Sequence, residues 1–216
     1  MIELQDVILF LAAYLIGSIP TSVWIGRRFY ATDVREHGSG NAGATNTLRT
    51  LGKKAGLVVL LIDIFKGWLA VSLAVLSTYP KGSSQLIHLE VAMAFAAIIG
   101  HIFPIYVGFK GGKGVATTMG IIIGISPIIA LLCLIVFAVV LLVSHYVSLA
   151  SILAVASFPF WITTVFKSHY SGFVYSWLIA FSILLPMMVI IMHRKNISRL
   201  LKRQESELNL FSKKKD

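Results

Sequence analysis

Six long apolar stretches, at 7–25, 57–78, 87–107, 115–143, 146–166 and 173–192, alternate with short polar ones along the chain. A membrane-crossing helix needs roughly 20 predominantly apolar residues. The stretches are unbroken rather than alternating, so they predict helices and not barrel strands. The fourth is too long for one crossing and holds Gly124-Ile125-Ser126-Pro127, a natural break. The pattern alone therefore predicts six or seven spans.

Composition agrees with the pattern. The chain has 216 residues, of which 57% are hydrophobic and 13% charged; its mean hydropathy is +0.85. A soluble domain carries about 25% charged residues. An integral membrane protein follows, built as one helical bundle over 1–192 with a basic tail over 193–216. The first residues, Met1-Ile2-Glu3-Leu4-Gln5-Asp6, are acidic where a signal peptide is basic, so the first stretch reads as a retained span. The single cysteine, Cys133, lies in an apolar run. That excludes a disulfide framework or a cysteine metal site and predicts a core thiol.

Charge orients the bundle. The net charge is +10, but its cations cluster by position. Segment 27–54 holds Arg27, Arg28, Arg35, Arg49, Lys53 and Lys54. The tail holds Arg194, Lys195, Arg199, Lys202, Arg203 and Lys213 to Lys215. The loop near Pro80 has only Lys81, and the one near His169 only Lys167. Such clustering argues for membrane topology rather than a nucleic-acid partner. Both rich segments belong in the cytoplasm, which demands an odd number of spans and an N-terminus outside. Splitting the fourth stretch near Ser126-Pro127 gives seven. Each half, at about 12–16 residues, is short for a ~30 Å core and is expected to tilt or to meet protein. Loops 27–54, 108–114 and 144–147 then share one cytoplasmic face with the tail. An amphipathic surface helix is expected over 197–210.

Two glycine-rich loops on that face carry the candidate chemistry. The first is His37-Gly38-Ser39-Gly40-Asn41-Ala42-Gly43-Ala44-Thr45-Asn46-Thr47-Leu48-Arg49. Gly38, Gly40 and Gly43 permit positive φ and close approach of backbone to an anion. Ser39, Asn41, Thr45 and Asn46 offer neutral hydrogen bonds, and Arg49 a bidentate fork for phosphate. The bland alternative is a flexible loop whose arginine obeys the topology rule. The second loop is Gly108-Phe109-Lys110-Gly111-Gly112-Lys113-Gly114. It lacks the Walker A frame, but Gly111 and Gly112 beside Lys113 at the mouth of a span suit a phosphate. A tight turn with topology-setting lysines is its alternative.

Other polar residues are less decided. Asp63 and Lys66 share a helix face inside the second stretch, as a structural pair or as functional groups. His101 closes the third stretch beside the second loop. His193 and Asn196 lie one turn apart at the end of the last, facing a pocket or only the interface. Ser148 and Ser151 read as helix-packing hydroxyls. None of the six histidines has an aspartate five positions on, so the His-x4-Asp pair of many glycerolipid acyltransferases is absent. H-E-x-x-H, C-x-x-C and G-x-S-x-G are absent too, and neither a metal nor another cofactor is expected.

These blocks, with Gly17-Ser18-Ile19-Pro20-Thr21, Asp63-Ile64-Phe65-Lys66-Gly67, Tyr146-Val147-Ser148-Leu149-Ala150-Ser151 and His193-Arg194-Lys195-Asn196-Ile197, resemble the bacterial acyl-phosphate:glycerol-3-phosphate acyltransferases, the PlsY family. The resemblance runs nearly the whole chain in order; this chain departs from the family in its apolar filler and in a lysine-ended tail. It implies a seven-span inner-membrane enzyme with its site on the cytoplasmic side. The implied reaction moves an acyl chain from acyl phosphate to the 1-hydroxyl of glycerol 3-phosphate, the first acylation of phospholipid synthesis. The family's polar pocket falls on Ser39, Thr45, Asn46, Arg49, His101, Lys113, Ser151, His193 and Asn196. Implied partners are the two substrates, membrane lipid and, transiently, the enzyme that makes acyl phosphate.

Both substrates carry phosphate, so Arg49 and Lys113 are expected to clamp phosphates. Ser39, Thr45, Asn46 and glycine-loop N–H groups are expected to orient them, with His193 and Asn196 closing the acceptor side. The hydroxyl proton goes to His101, to His193 or to the departing phosphate; the missing His-Asp pair favours the last. A transporter of phosphorylated metabolites is the rival class, since it too needs cationic loops and a broken span, but the Gly-Ser-Gly-Asn block has no echo in the second half. A membrane scaffold leaves the polar loop residues unexplained.

Overall fold

The structure, a computed structural model, describes residues 3–166 and 172–208, and those residues form helices and loops without a strand. The helices in order are α1 (Leu4–Gly17), α2 (Thr21–Tyr30), α3 (Ala44–Leu51), α4 (Lys53–Ser72), α5 (Ser84–Ile102), α6 (Val115–Ile125), α7 (Pro127–Ser144), α8 (Val147–Ala156), α9 (Phe158–Phe166), α10 (Gly172–Met192) and α11 (Arg194–Leu201). Five apolar segments are long enough to cross a membrane: Lys53–Leu76, Ser84–Val107, Pro127–Ser144, Val147–Phe166 and Val174–Met192. The bent pair α1–α2 makes a sixth.

The first stretch is broken rather than continuous. α1 stops at Gly17 and the chain bends by 42° before α2. Pro20 has no N–H and disfavours helical backbone at Ile19, which places the break there. A buried ion pair on α4 locks the bend. Lys66 Nζ lies 2.8 Å from Asp63 Oδ1 and donates to the carbonyl of Ile19 at 2.8 Å, while Thr21 Oγ1 donates to Asp63 Oδ1 at 3.0 Å.

The fourth stretch breaks at the expected place. Ser126 turns extended, its Oγ accepts from Ile129 N, and Pro127 opens α7. The two pieces are unequal, however: α6 has 11 residues and α7 has 18. α7 alone is long enough to span, and most of its surface is exposed. Only α6 sits against protein as expected. It packs on α4 with the backbones nearly touching, because a methyl built on Gly120 would overlap the Ile64 carbonyl and one on Gly67 the Thr117 carbonyl. α1 and α5 meet in the same way, through Gly17 against Ala97 and Gly100 against Tyr14. In lipid, where burying apolar surface gives helices little reason to associate, such small-residue contacts supply dispersion energy.

On the other side of the core, Phe181 of α10 meets Phe158 and Phe95 edge-on, with ring centroids 5.8 and 5.4 Å apart. Cys133 is buried, as the apolar run around it implies. The surface helix expected over 197–210 is shorter than that: α11 ends at Leu201 and residues 204–208 run non-helically back toward the bundle. Residues 209 and 210, and the lysines at 213–215, lie outside the described residues, as does Lys167.

Candidate active site

Three arms of chain converge on the polar ends of α4, α5, α6 and α8. The first is the loop before α3. Asp33 fixes its start by accepting from Arg27 Nη2 at 2.9 Å and Arg35 Nη2 at 2.7 Å. The Arg35 guanidinium holds that carboxyl far below the ordinary carboxylate range. Arg35 Nη1 also donates to the Val107 carbonyl at 3.0 Å, tying the first loop to the second. Buried Asn46 staples the loop from within. Its Nδ2 donates to the carbonyls of Val34 (2.7 Å) and His37 (3.0 Å), and its Oδ1 accepts from Ser39 N at 2.8 Å. Gly38 has φ +59, and a methyl there would collide with Asn46 Oδ1. Asn46 and Gly38 therefore build the loop that presents Ser39.

The second arm is the loop between α5 and α6. Gly111 N and Gly112 N donate to the carbonyls of Ile102 and His101, each at 3.1 Å. A side chain at Gly112 would strike the His101 ring. His101 Nδ1 lies 3.0 Å from Thr117 Oγ1 and 3.9 Å from Asp63 Oδ1. Lys113 then points across to the third arm, the end of α10 and the tail. Its Nζ donates to Asn196 Oδ1 at 2.5 Å.

Asn196 in turn donates from Nδ2 to Glu205 Oε1 at 2.7 Å, and Glu205 Oε2 accepts from Arg199 Nε at 2.6 Å. Arg49 Nη2 donates to the Ser206 carbonyl at 3.1 Å, and Leu208 N to the His145 carbonyl at 2.8 Å. Residues 204–208 thus strap the open side of the site.

These arms enclose a cavity of about 230 Å³. Of the predicted residues, Ser39, Asn41, Thr45, Asn46, Arg49, His101, Lys113, Ser151, His193 and Asn196 all line it. Gly38, Gly40, Gly111 and Gly112 do not. The first two shape the α3 loop; the last two line a second, far smaller space with Asp63, Lys66 and His101. Gly38, Gly40 and Gly43 also have the G-x-G-x-x-G spacing of a dinucleotide-binding turn, but that turn follows a strand, and the described residues contain none. Glu205, Asp63, Ser148 and an apolar wall that includes Leu60, Ile64, Met119, Leu134 and Phe137 also line the cavity. Sequence reasoning missed Glu205; its one signal was a carboxylate among the cations of the tail, a signal that Glu207 and Asp216 share.

Burial sets the electrostatics. It pulls the Lys113 ammonium down to about 8, with Arg199 and Arg49 adding repulsion that Glu205 partly offsets. Lys113 therefore keeps its charge at neutral pH but loses it readily above. Burial pushes His193 down to about 4. Its Nδ1 donates to the Val189 carbonyl at 2.8 Å, so the neutral ring presents Nε2 as an acceptor. Glu205 is driven up by burial and more strongly down by its hydrogen bonds from Arg199, Asn196 and Ser148.

A membrane-embedded helical bundle with a cavity that has cations at its polar end and an apolar wall at the other is built to handle an amphiphilic anion. The comparisons give that class its family. The family model described as glycerol-3-phosphate acyltransferase matches residues 7–203, and the chain belongs to that family. It is 45% identical to a glycerol-3-phosphate acyltransferase of Streptococcus equi subsp. zooepidemicus over 93% of this chain and 90% of the relative. A Streptococcus pyogenes counterpart is 42% identical over 87% and 86%. Among solved structures, the integral membrane glycerol 3-phosphate acyltransferase PlsY in its glycerol 3-phosphate form superposes with a TM-score of 0.82 at 35% identity, over 96% of this chain and all of that one. Its lysophosphatidic acid form gives 0.79 at 35% identity, over 95% and 96%.

Proposed function

We propose that this protein transfers a fatty acyl group from acyl phosphate to the 1-hydroxyl of glycerol 3-phosphate, giving lysophosphatidic acid and inorganic phosphate. One observation carries the reading beyond family membership. Leu60 of α4 and Leu134 of α7 line the cavity that holds Arg49 and Lys113, yet 37% and 48% of their surfaces are exposed on the apolar side of the bundle. Phosphate and fatty chain can therefore share one site, the chain entering from the bilayer between α4 and α7 over the floor of α6.

In the proposed reaction the glycerol oxygen attacks the acyl carbonyl carbon and the bond from that carbon to the phosphate oxygen breaks. Arg49 and Lys113 hold the phosphates, and Ser39 and Thr45, with loop N–H groups, support the developing oxyanion. His193, neutral and accepting at Nε2, orients the attacking hydroxyl. A ring driven down to about 4 holds a proton poorly at neutral pH, so the proton passes to the departing phosphate. A transport reading has no observation in its favour.

The test uses purified protein in detergent, where no compartments exist, with acyl phosphate and glycerol 3-phosphate. Phosphate and lysophosphatidic acid should form in equal amounts, and Arg49→Ala should abolish both. If wild-type protein releases neither product, the acyltransferase reading is wrong.

We further propose seven crossings, with the short α6 as the extra one, the N-terminus outside and the site on the cytoplasmic face of the inner membrane. The clustered cations of 27–54 and 193–203 support this. In a Cys133→Ala background, an impermeant thiol reagent added to intact cells should label Gln5→Cys and Ser83→Cys but spare Ser206→Cys. Labelling of all three would refute the topology.

A further inference from the structure

Residues 204–208 cross the polar end of the cavity between α11 and the start of α8, and they are fastened more lightly than the rest of the site. The segment is not helical, and of its residues only Glu205 is buried, while Gln204, Ser206 and Glu207 are exposed. Glu205 takes hydrogen bonds from Asn196, Arg199 and Ser148. The residues after it are tied at single points. The Ser206 carbonyl accepts from Arg49 Nη2 at 3.1 Å, Glu207 Oε1 accepts from the Tyr146 hydroxyl at 3.2 Å, and Leu208 N donates to the His145 carbonyl at 2.8 Å. A segment with little buried apolar surface and exposed hydrogen bonds opens at low free energy. The chain enters it through Arg203 at φ +56, a left-handed backbone that residues other than glycine adopt only under strain. A residue at the end of an element, in such a conformation, is placed to absorb the dihedral change of a hinge.

The proposed chemistry gives such a segment a task. Water can attack the acyl phosphate as the glycerol hydroxyl does. Its oxygen then bonds to the acyl carbon, the bond from that carbon to the phosphate oxygen breaks, and the phosphate leaves with the electron pair and a proton from the water. The products are a fatty acid and inorganic phosphate, and the acyl group is wasted. A closed site prevents this by excluding water. Glycerol 3-phosphate, small and charged, must nevertheless arrive from the polar end, because the other wall opens on the bilayer. We propose that residues 204–208 are a lid that opens to admit glycerol 3-phosphate and shuts over the bound substrates, with Glu205 as its latch, so that the acyl group passes to glycerol and not to water. A shut lid is compatible with bound phosphate, since Arg49 spends one of its five N–H donors on Ser206. This rests on the acyltransferase reading, because that reading supplies the water-sensitive donor.

The test loosens the lid at its outer end, away from Glu205, Asn196 and Arg49. In the full-length protein, Leu208→Pro removes the N–H given to the His145 carbonyl, and Tyr146→Phe removes the hydroxyl given to Glu207. Wild type, the double variant and the milder Tyr146→Phe alone are supplied with both substrates in detergent, and fatty acid and lysophosphatidic acid are measured together. The fatty-acid share of the product should rise about fivefold or more in the double variant, the factor expected for two lost hydrogen bonds, and less in Tyr146→Phe. A segment that merely braced the fold would lower both products in step, and an unchanged ratio would overturn the proposal. A second measurement needs no turnover. In a Cys133→Ala background, Ser151→Cys lies on the cavity wall and is buried, so a charged thiol reagent should reach it faster once the lid is loosened. Equal labelling rates with and without the lid substitutions would also overturn the proposal. If wild type makes neither product, the acyltransferase reading fails, and the labelling rates still decide whether the lid opens.

Discussion

Lys113 shows how much one residue's environment decides. A lysine between glycines in a solvent-exposed turn would keep its ordinary basicity; here burial draws it to about 8. The sign of the pH effect follows. Below about 8 the ammonium is present and can bind phosphate, and as pH rises through that value the free enzyme loses the charge. kcat/KM for the phosphate substrates should therefore fall on an alkaline limb starting near pH 8. Lys113→Arg, which stays charged at every accessible pH, should remove that limb even if its overall rate is lower. Lys113→Ala should lose about 10²–10³-fold at neutral pH, the usual size for one electrostatic contact to a transition state. Steady-state rates from pH 6 to 10 check all three. Asn46 teaches the complementary lesson. Its residue type suggested substrate binding, but its amide oxygen and nitrogen are taken up by Ser39, Val34 and His37. No spacing rule tells a ligand-facing asparagine from one that folds its own loop.

At the scale of elements, glycines and a buried ion pair hold the bundle together. Gly120 has no room for a methyl against the Ile64 carbonyl, whereas one on Gly124, a turn later, would make ordinary contact with Val71. Gly120→Ala should lower stability by about 1–3 kcal/mol through overpacking, and Gly124→Ala should be near neutral; thermal unfolding in detergent distinguishes them. Asp63 and Lys66 pin α4 to the α1–α2 bend. Lys66→Met alone leaves Asp63 buried and uncompensated and should cost about 3–5 kcal/mol, while the double change Asp63→Asn with Lys66→Met should recover much of that. Much at this scale was legible in the chain itself. Ser126-Pro127 announced a broken span because proline cannot continue a helix, and the break lies there. Ser18-Ile19-Pro20 carries the same chemistry inside another apolar stretch, yet the bend passed as continuous because its repair, by Lys66 on Ile19 and Asp63 on Thr21, comes from 47 and 42 positions along the chain.

At the scale of the molecule, the cavity's position between cationic loops and the exposed apolar surface of α4 and α7 governs access. Bulk at that opening should hinder the fatty substrate alone. Leu134→Trp is expected to raise KM for a long-chain acyl phosphate about tenfold, an effect that fades with short-chain donors, and to leave KM for glycerol 3-phosphate unchanged. A chain-length series of donors measures this.

The sequence by itself determined the helical membrane class, the two glycine loops, the cations and most of the polar residues of the cavity lining. Hydropathy, helix breaking and charge asymmetry act locally along the chain, so they can be read from it. Only the tertiary structure decided that residues 204–208 fold back to strap the site, that Glu205 anchors Asn196 and so Lys113, and that Gly111 and Gly112 serve the loop rather than the cavity wall. It also set Ser148 beside the Glu205 carboxylate and turned the Ser151 hydroxyl back on its own helix. These outcomes depend on burial and on partners up to 157 positions apart, as with Arg49 and Ser206. Burial and long-range pairing are fixed only when the helices pack.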